Sequence, residues 1–265
     1  MSTDSFTMRR CALPEIEAVE ASSSHVFPRH THEAYGVGLI VRGAHRSWSG
    51  RGTVEAGPGE IITCNPGEVH DGAPIGTSRA WKIVYLQPAL VGAITADIRD
   101  GGAADFEFTD PVIKEQPPSR AFATAYDALT GMSAEPASAQ ERLMVLLAVL
   151  LKHKRPIPVA ASHAVVRTKA RIDDEPTARI TLAELASEAG LSRFQLMRQF
   201  ARFTGLTPHA YMVQRRLDAA RTMLTLRVPI SEAAAACGFA DQSHFSRMFI
   251  ARYGMTPGIY AAAHD

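Results

Sequence analysis

The hydrophobic rhythm of the chain changes near residue 90 and again past residue 150. Up to about residue 90, short apolar runs such as Val37–Val41, Glu60–Cys64 and Ala80–Leu86 sit between Gly36, Gly38, Gly43, Gly50, Gly52, Gly57, Pro58, Gly59, Pro66, Gly67, Gly72, Pro74 and Gly76. Short strands at that spacing predict a β-sandwich or a small β-barrel. Over 119–132 the apolar positions Phe122, Tyr126 and Leu129 fall three or four apart, which predicts a helix. Ser138-Ala-Gln-Glu141 has the form of a capping box and is expected to open a second helix running to about Lys152. The unbroken apolar run Leu143–Leu151 leaves that helix no clean polar face. Such a helix must be covered on two sides, here by the β-rich part and by a second copy of the chain. Pro156 and Pro158 end it. The expected fold class is α+β in two domains: residues 1–151, a linker at 152–163, and an all-α domain at 164–265.

The helical part contains an internal repeat. Arg198-Gln-Phe200 returns as Arg247-Met-Phe249, Gly205-Leu-Thr-Pro208 as Gly254-Met-Thr-Pro257, and Tyr211 as Tyr260, each pair 49 residues apart. Two copies are too few for a solenoid, so they make a duplicated module. Each copy reads as helix, tight turn, helix. In the first, Thr181–Glu184 and Ser192–Gln195 are capping boxes and Gly190 is the stop between them. In the second, Ile230–Cys237 is the short helix, Gly238 its stop and Asp241 the cap of the next helix. Thr207-Pro208 and Thr256-Pro257 each set a capping Thr before a Pro at the first helical position. The helix opened by Pro208 runs to about Leu226, ~28 Å at the usual rise. That length sets the second helices of the two modules roughly one DNA turn apart, ~34 Å.

Helical periodicity turns Leu196, Phe200 and Phe203 of the first module inward, and Phe245 and Phe249 of the second. It leaves Arg193, Phe194, Met197, Arg198 and Arg202 elsewhere on one helix, and Gln242, Ser243, Ser246 and Arg247 on the other. Arg and Gln can each make two hydrogen bonds to a base edge, and Ser can bond bases or phosphates. On a single helix such residues could equally be a solvated face. Arginine at the matched position of both copies points to DNA. Arg215, Arg216 and Arg221 on the connecting helix are either phosphate contacts or plain surface.

Composition narrows this reading only slightly. The chain has 265 residues, 46% hydrophobic and 21% charged, which excludes a disordered or rod-like protein. Its longest apolar run is far below the ~20 residues of a membrane helix, so no membrane partner is expected. No secretory signal is visible at the N-terminus, and Cys11, Cys64 and Cys237 lie far apart without a CxxC pair. Reduced thiols in the cytoplasm fit this usage. Residues 156–265 hold 13 Lys+Arg, 12 of them Arg, against 9 Asp+Glu. That excess leans toward a polyanion without deciding the matter.

The segment Gly238-Phe-Ala-Asp-Gln-Ser-His-Phe-Ser-Arg-Met-Phe, followed by Gly254-Met-Thr-Pro-Gly-Ile-Tyr260, closely resembles the hallmark of AraC/XylS-type transcriptional regulators. Ile180-Thr-Leu-Ala-Glu-Leu-Ala, Gly190-Leu-Ser and Gly205-Leu-Thr-Pro agree with it, so the resemblance covers about residues 165–262. It implies two helix-turn-helix units that bind double-stranded promoter DNA. Phe194, Met197 and Arg198 then face bases in the first unit, and Gln242, Ser243 and Arg247 in the second. The apolar Phe194 and Met197 suit thymine methyls, or a unit that reads few bases by hydrogen bonding.

His30-Thr-His32 and Pro66-Gly-Glu-Val-His70 resemble the two cupin motifs, so residues 15–90 are similar to an AraC-type cupin domain. The resemblance implies a small-molecule effector site and a homodimer, with RNA polymerase as a further partner if the protein is an activator. On one strand, His30 and His32 would share a face. The expected ligand-binding set is His30, His32, Tyr35, Trp48, His70 and Trp81, with no cofactor. The rival reading is a cupin metal-dependent enzyme or metal-binding protein with a helical appendage, using His30, His32 and His70. Metal-binding cupins usually add a Glu four or five residues after the His pair; here those positions are Gly36 and Val37. No Gly-rich phosphate loop, GxSxG or HExxH is present.

Overall fold

The computed structural model describes residues 4–50, 52–98, 106–131, 136–151, 163–178 and 180–264. Contacts divide the chain into two units, Met1–Val26 with His32–Ile157, and Phe27–Thr31 with Pro158–Asp265. The predicted linker at 152–163 lies outside the described residues except His163, where the first helix of the second unit begins.

The first unit is built on β1 (Ser5–Arg9), β2 (Ile16–Ser23), β4 (Tyr35–Ser49), β5 (Gly52–Ala56), β6 (Ile61–Cys64), β7 (His70–Leu86) and β8 (Val112–Ile113); the short β3 (Phe27–His30) falls in the other unit. The sheet order is β1-β2-β7-β4-β6-β8, with β5 beside β4. Neighbours along that path are antiparallel.

The strands are longer than the glycine punctuation predicts. β4 runs through Gly43, and β7 through Gly72, Pro74 and Gly76. The cause is a pair of register shifts where β4 meets β7, between Ile40 and Arg42 and between Arg42 and Ala44. Gly43 stands at this irregularity with φ 71°, and a Cβ there would lie 2.4 Å from the Ser78 carbonyl oxygen. Glycine therefore bends the strand here instead of ending it.

Alternation along β7 gives the sheet two distinct faces. Val84 and Leu86 join Ile16, Ala18, Val37 and Ile61 in a core shared with α1 (Pro88–Ile98), α2 (Gln116–Thr130) and α3 (Pro136–Leu150). The sequence reading did not anticipate α1, which packs against α3. It also placed the start of α3 at Ser138, whereas the helix begins at Pro136, where the fixed φ of proline suits a first turn. Ala139, Leu143, Leu146, Leu147 and Leu150 are buried on α3, while Val145 is 47% exposed.

The opposite face of the sheet is less uniformly apolar and buries His45. Its imidazole is only 9% exposed, and its pKa falls to about 3, first through burial and then through the charges of Arg79 and His70. The unfolded chain takes up this proton below about pH 6.5, and the native state does so only near pH 3. Stability should therefore decline as pH falls from about 6.5 toward 3, by on the order of 4 kcal/mol from this group. Urea unfolding followed by the fluorescence of Trp48 and Trp81, the two tryptophans of the chain, should show this acid limb. It should be clearly flatter in His45→Gln, and equal slopes would contradict the assignment.

Candidate nucleic-acid interface

The second unit consists of α4 (His163–Asp174), α5 (Leu182–Ala189), α6 (Arg193–Thr204), α7 (Pro208–Thr225), α8 (Ile230–Ala236), α9 (Gln242–Tyr253) and α10 (Pro257–Ala262), with the segment Phe27–Thr31. Its helix ends follow the local chemistry of the sequence. Thr181 with Glu184 and Ser192 with Gln195 form complete reciprocal capping boxes. Asp241 accepts from the His244 N–H, Thr207 from Ala210 and Thr256 from Ile259. Gly190, Gly238 and Gly254 take left-handed φ values of 66°, 75° and 75°. Helix pairs α5–α6 and α8–α9 are thus each joined by a tight turn through a glycine.

The repeat extends to packing. Phe200 and Tyr211 meet edge-on at 5.5 Å between ring centroids, and their counterparts Phe249 and Tyr260 meet edge-on at 5.7 Å. Leu196, Phe200, Phe245 and Phe249 are all fully buried. With the apolar face of each second helix held inward, its polar face points out. Arg193, Met197, Arg198 and Arg202 are exposed on α6, and Gln242, Ser243 and Arg247 on α9; Ser246 is half-buried. Phe194 belongs to α6, and its side chain lies outside those described.

A buried polar network fastens the connecting helix α7 to its neighbours. Asp218, 4% exposed, accepts hydrogen bonds from Gln214 Nε2 at 2.9 Å and from the Tyr253 hydroxyl of α9 at 2.8 Å. Arg215 lies between Asp218 and Asp173 of α4, and Asp173 also accepts from the Tyr211 hydroxyl and pairs with Lys169. The arginines of α7 are therefore not plain surface. Arg215 is in this network, Arg216 donates to backbone carbonyls, and Arg221 lies over the rings of Tyr253 and Tyr260.

The residues expected to bind an effector are dispersed more widely. β3 ends at His30, so His32 lies in the turn beyond it and the two do not share one strand. His30 also falls in the second unit, whereas His32 and His70 belong to the first. His32 packs on His70 at 5.2 Å and on Tyr85 at 4.6 Å between centroids, and Trp81 lies under the guanidinium of Arg79 at 4.7 Å. Tyr35 sits in the helix-facing core, with its ring against Phe106 and Phe108 and its hydroxyl donating to the Phe106 carbonyl. Trp48 is half-buried, and alternation turns it away from the face of its buried neighbour Ser49. The sequence reading missed Arg79 and Tyr85, although both share the period-two face of Trp81 on β7. It also missed His45.

Paired helix-turn-helix units and a sheet-rich domain define a transcriptional regulator. The AraC-like ligand binding domain family matches residues 13–147, and a helix-turn-helix domain family matches residues 185–263. The chain belongs to the AraC family of transcriptional regulators, DNA-binding proteins with an N-terminal ligand-binding domain. It is 24% identical over 224 residues to the uncharacterised HTH-type transcriptional regulator YbfI of Bacillus subtilis, covering 82% of this chain and 81% of YbfI. It is 42% identical over 83 residues to the probable transcriptional regulator LumQ of Photobacterium leiognathi, covering 31% of this chain and 34% of LumQ. The fold is similar to that of ToxT from Vibrio cholerae O395, with a TM-score of 0.61 at 11% identity over 95% of this chain and 98% of ToxT. Among the described residues, no helix is long and apolar enough to cross a membrane.

Removing the Asp218 carboxylate leaves Gln214, Arg215 and Tyr253 facing a buried vacancy. Asp218→Ala should destabilise the protein by about 3–5 kcal/mol, read as a lower urea midpoint by circular dichroism. A loss below about 0.5 kcal/mol, the size of an ordinary surface change, would contradict a structural role for this network.

Proposed function

We propose that the protein is an effector-controlled regulator of promoter DNA. In this reading α6 and α9 enter successive major grooves and a small molecule binds the ligand-binding domain. It works in the cytoplasm as a homodimer, and as an activator it would also meet RNA polymerase. The observation that carries the reading is the matched exposure of Arg198 and Arg247 on duplicated helices whose Phe200 and Phe249 are buried. Burial of those rings orients each arginine outward, where its planar fork can meet a guanine edge. The effector reading is supported by the packing of His32 on His70 and Tyr85, with Trp81 on the same β7 face as Tyr85, because ligand sites mix aromatic walls with a few polar groups. Its effector must favour one state of the protein over another in order to regulate. The relatives are regulators, which supports this reading over a metal-dependent enzyme.

A duplex can be selected from random sequence with the full chain and then used as a probe. Arg247→Ala should bind that duplex more weakly by about 1–3 kcal/mol and relax preference at one or two base pairs. An unchanged affinity and base preference in a gel-shift titration would contradict base reading by α9.

Thermal-shift screening against small metabolites, with metal analysis of the purified protein, tests the effector. A stabilising organic compound whose effect is lost in Trp81→Ala is expected. Stoichiometric bound metal without any organic ligand would favour the rival reading, in which His30, His32 and His70 bind metal.

A further inference from the structure

Arg216 is placed to do what neither recognition helix can do for itself. It lies on α7, half-buried, between the two helix-turn-helix units. Its Nη2 donates to the Ala178 carbonyl at 3.0 Å and its Nε to the Pro176 carbonyl at 3.3 Å. Both carbonyls belong to the turn just before Thr181, the cap of α5. On the other side, Nη1 reaches the Gly238 carbonyl at 3.5 Å. Gly238 ends the short helix α8 and lies three residues before Asp241, the cap of α9. A Cβ at Gly238 would come within 3.4 Å of the guanidinium carbon. The guanidinium thus touches both the lead-in to the first unit and the turn of the second.

We propose that Arg216 is a positioning residue that fixes the two helix-turn-helix units relative to each other, and so sets the half-site spacing that the protein accepts. The inference rests on the DNA-binding reading above. A planar fork with several N–H donors at fixed angles can hold carbonyls on two separate segments at once, whereas a lysine ammonium on a flexible stem cannot impose that geometry. Three of its five N–H donors are directed to backbone carbonyls of the unit itself.

Two readouts test the proposal with full-length protein. The first uses the selected duplex, versions with the half-sites moved one base pair apart or together, and a version with one half-site scrambled. Arg216→Ala should bind the original duplex at least tenfold more weakly and the scrambled one within twofold of the unaltered protein. Its preference for the original spacing should collapse to within threefold. An equal loss on every duplex would reduce Arg216 to a stability role, and a salt dependence lowered by about one phosphate contact would make it a DNA ligand. Either result overturns the proposal.

The second readout needs no DNA. Spin labels at Ser187→Cys on α5 and Glu232→Cys on α8, in a Cys11→Ser background, should give one narrow distance distribution. Arg216→Ala should broaden it while helical content is unchanged; an unchanged width overturns the proposal. If Arg216→Ala does not fold, Arg216→Lys carries both tests, since it keeps the charge and stem and loses only the fork. Failure of the original protein to select any two-part duplex would count against the DNA reading alone and would leave the spin-label result to decide Arg216.

Discussion

Burial of the Asp218 carboxylate is the constraint on which the DNA-binding unit depends. A carboxylate taken out of water is tolerated only when its oxygens are met by good donors. Here the donors come from different elements: Gln214 on α7 and Tyr253 on α9, with Arg215 close by. Arg215 then passes the constraint to Asp173 on α4, which Tyr211 and Lys169 also hold. Two helix-turn-helix units that share only a connecting helix could rock independently. This network joins α4 and α9 to α7 and leaves fewer ways for the two modules to move. The arginines of α7 are engaged inside the unit, whereas Arg193, Arg198 and Arg202 of α6 and Arg247 of α9 are exposed.

The first unit divides its labour between the two faces of one sheet. The helix-facing side is apolar and continuous, with Val37, Val84 and Leu86 packed on Phe122, Tyr126 and Leu146. The other side buries a neutral His45 and a guanidinium, Arg79, whose pKa burial lowers to about 10. Buried polar groups of this kind weaken a core. Their presence on this face sets it apart from the apolar layer that packs on the helices.

The helical unit was far more legible in the sequence than the sheet. Helix ends are decided by local chemistry, so Thr181 with Glu184, Ser192 with Gln195, Asp241 and the glycines Gly190 and Gly238 could be read directly. The outward placement of Arg198 and Arg247 followed from periodicity and the repeat. In the sheet, glycine has two meanings that a sequence alone does not separate. Gly43 looked like the end of a short strand and is instead a bend inside a long one, because the Ser78 backbone approaches it closely. The fates of Arg215, Arg216 and Arg221 were equally hidden, since their partners lie on elements distant in sequence. Tyr35 was misplaced for a related reason: which face of a strand meets the helices depends on tertiary packing, and its ring went to Phe106 and Phe108.

Hydroxyl-radical footprinting of the full-length protein on a selected duplex tests the central claim most directly, namely that one chain presents two outward recognition helices to the same face of DNA. Two protected patches centred about one helical turn apart, ~10 base pairs, on one face of the duplex are the expected pattern. A single protected groove, or two on opposite faces, would contradict the account.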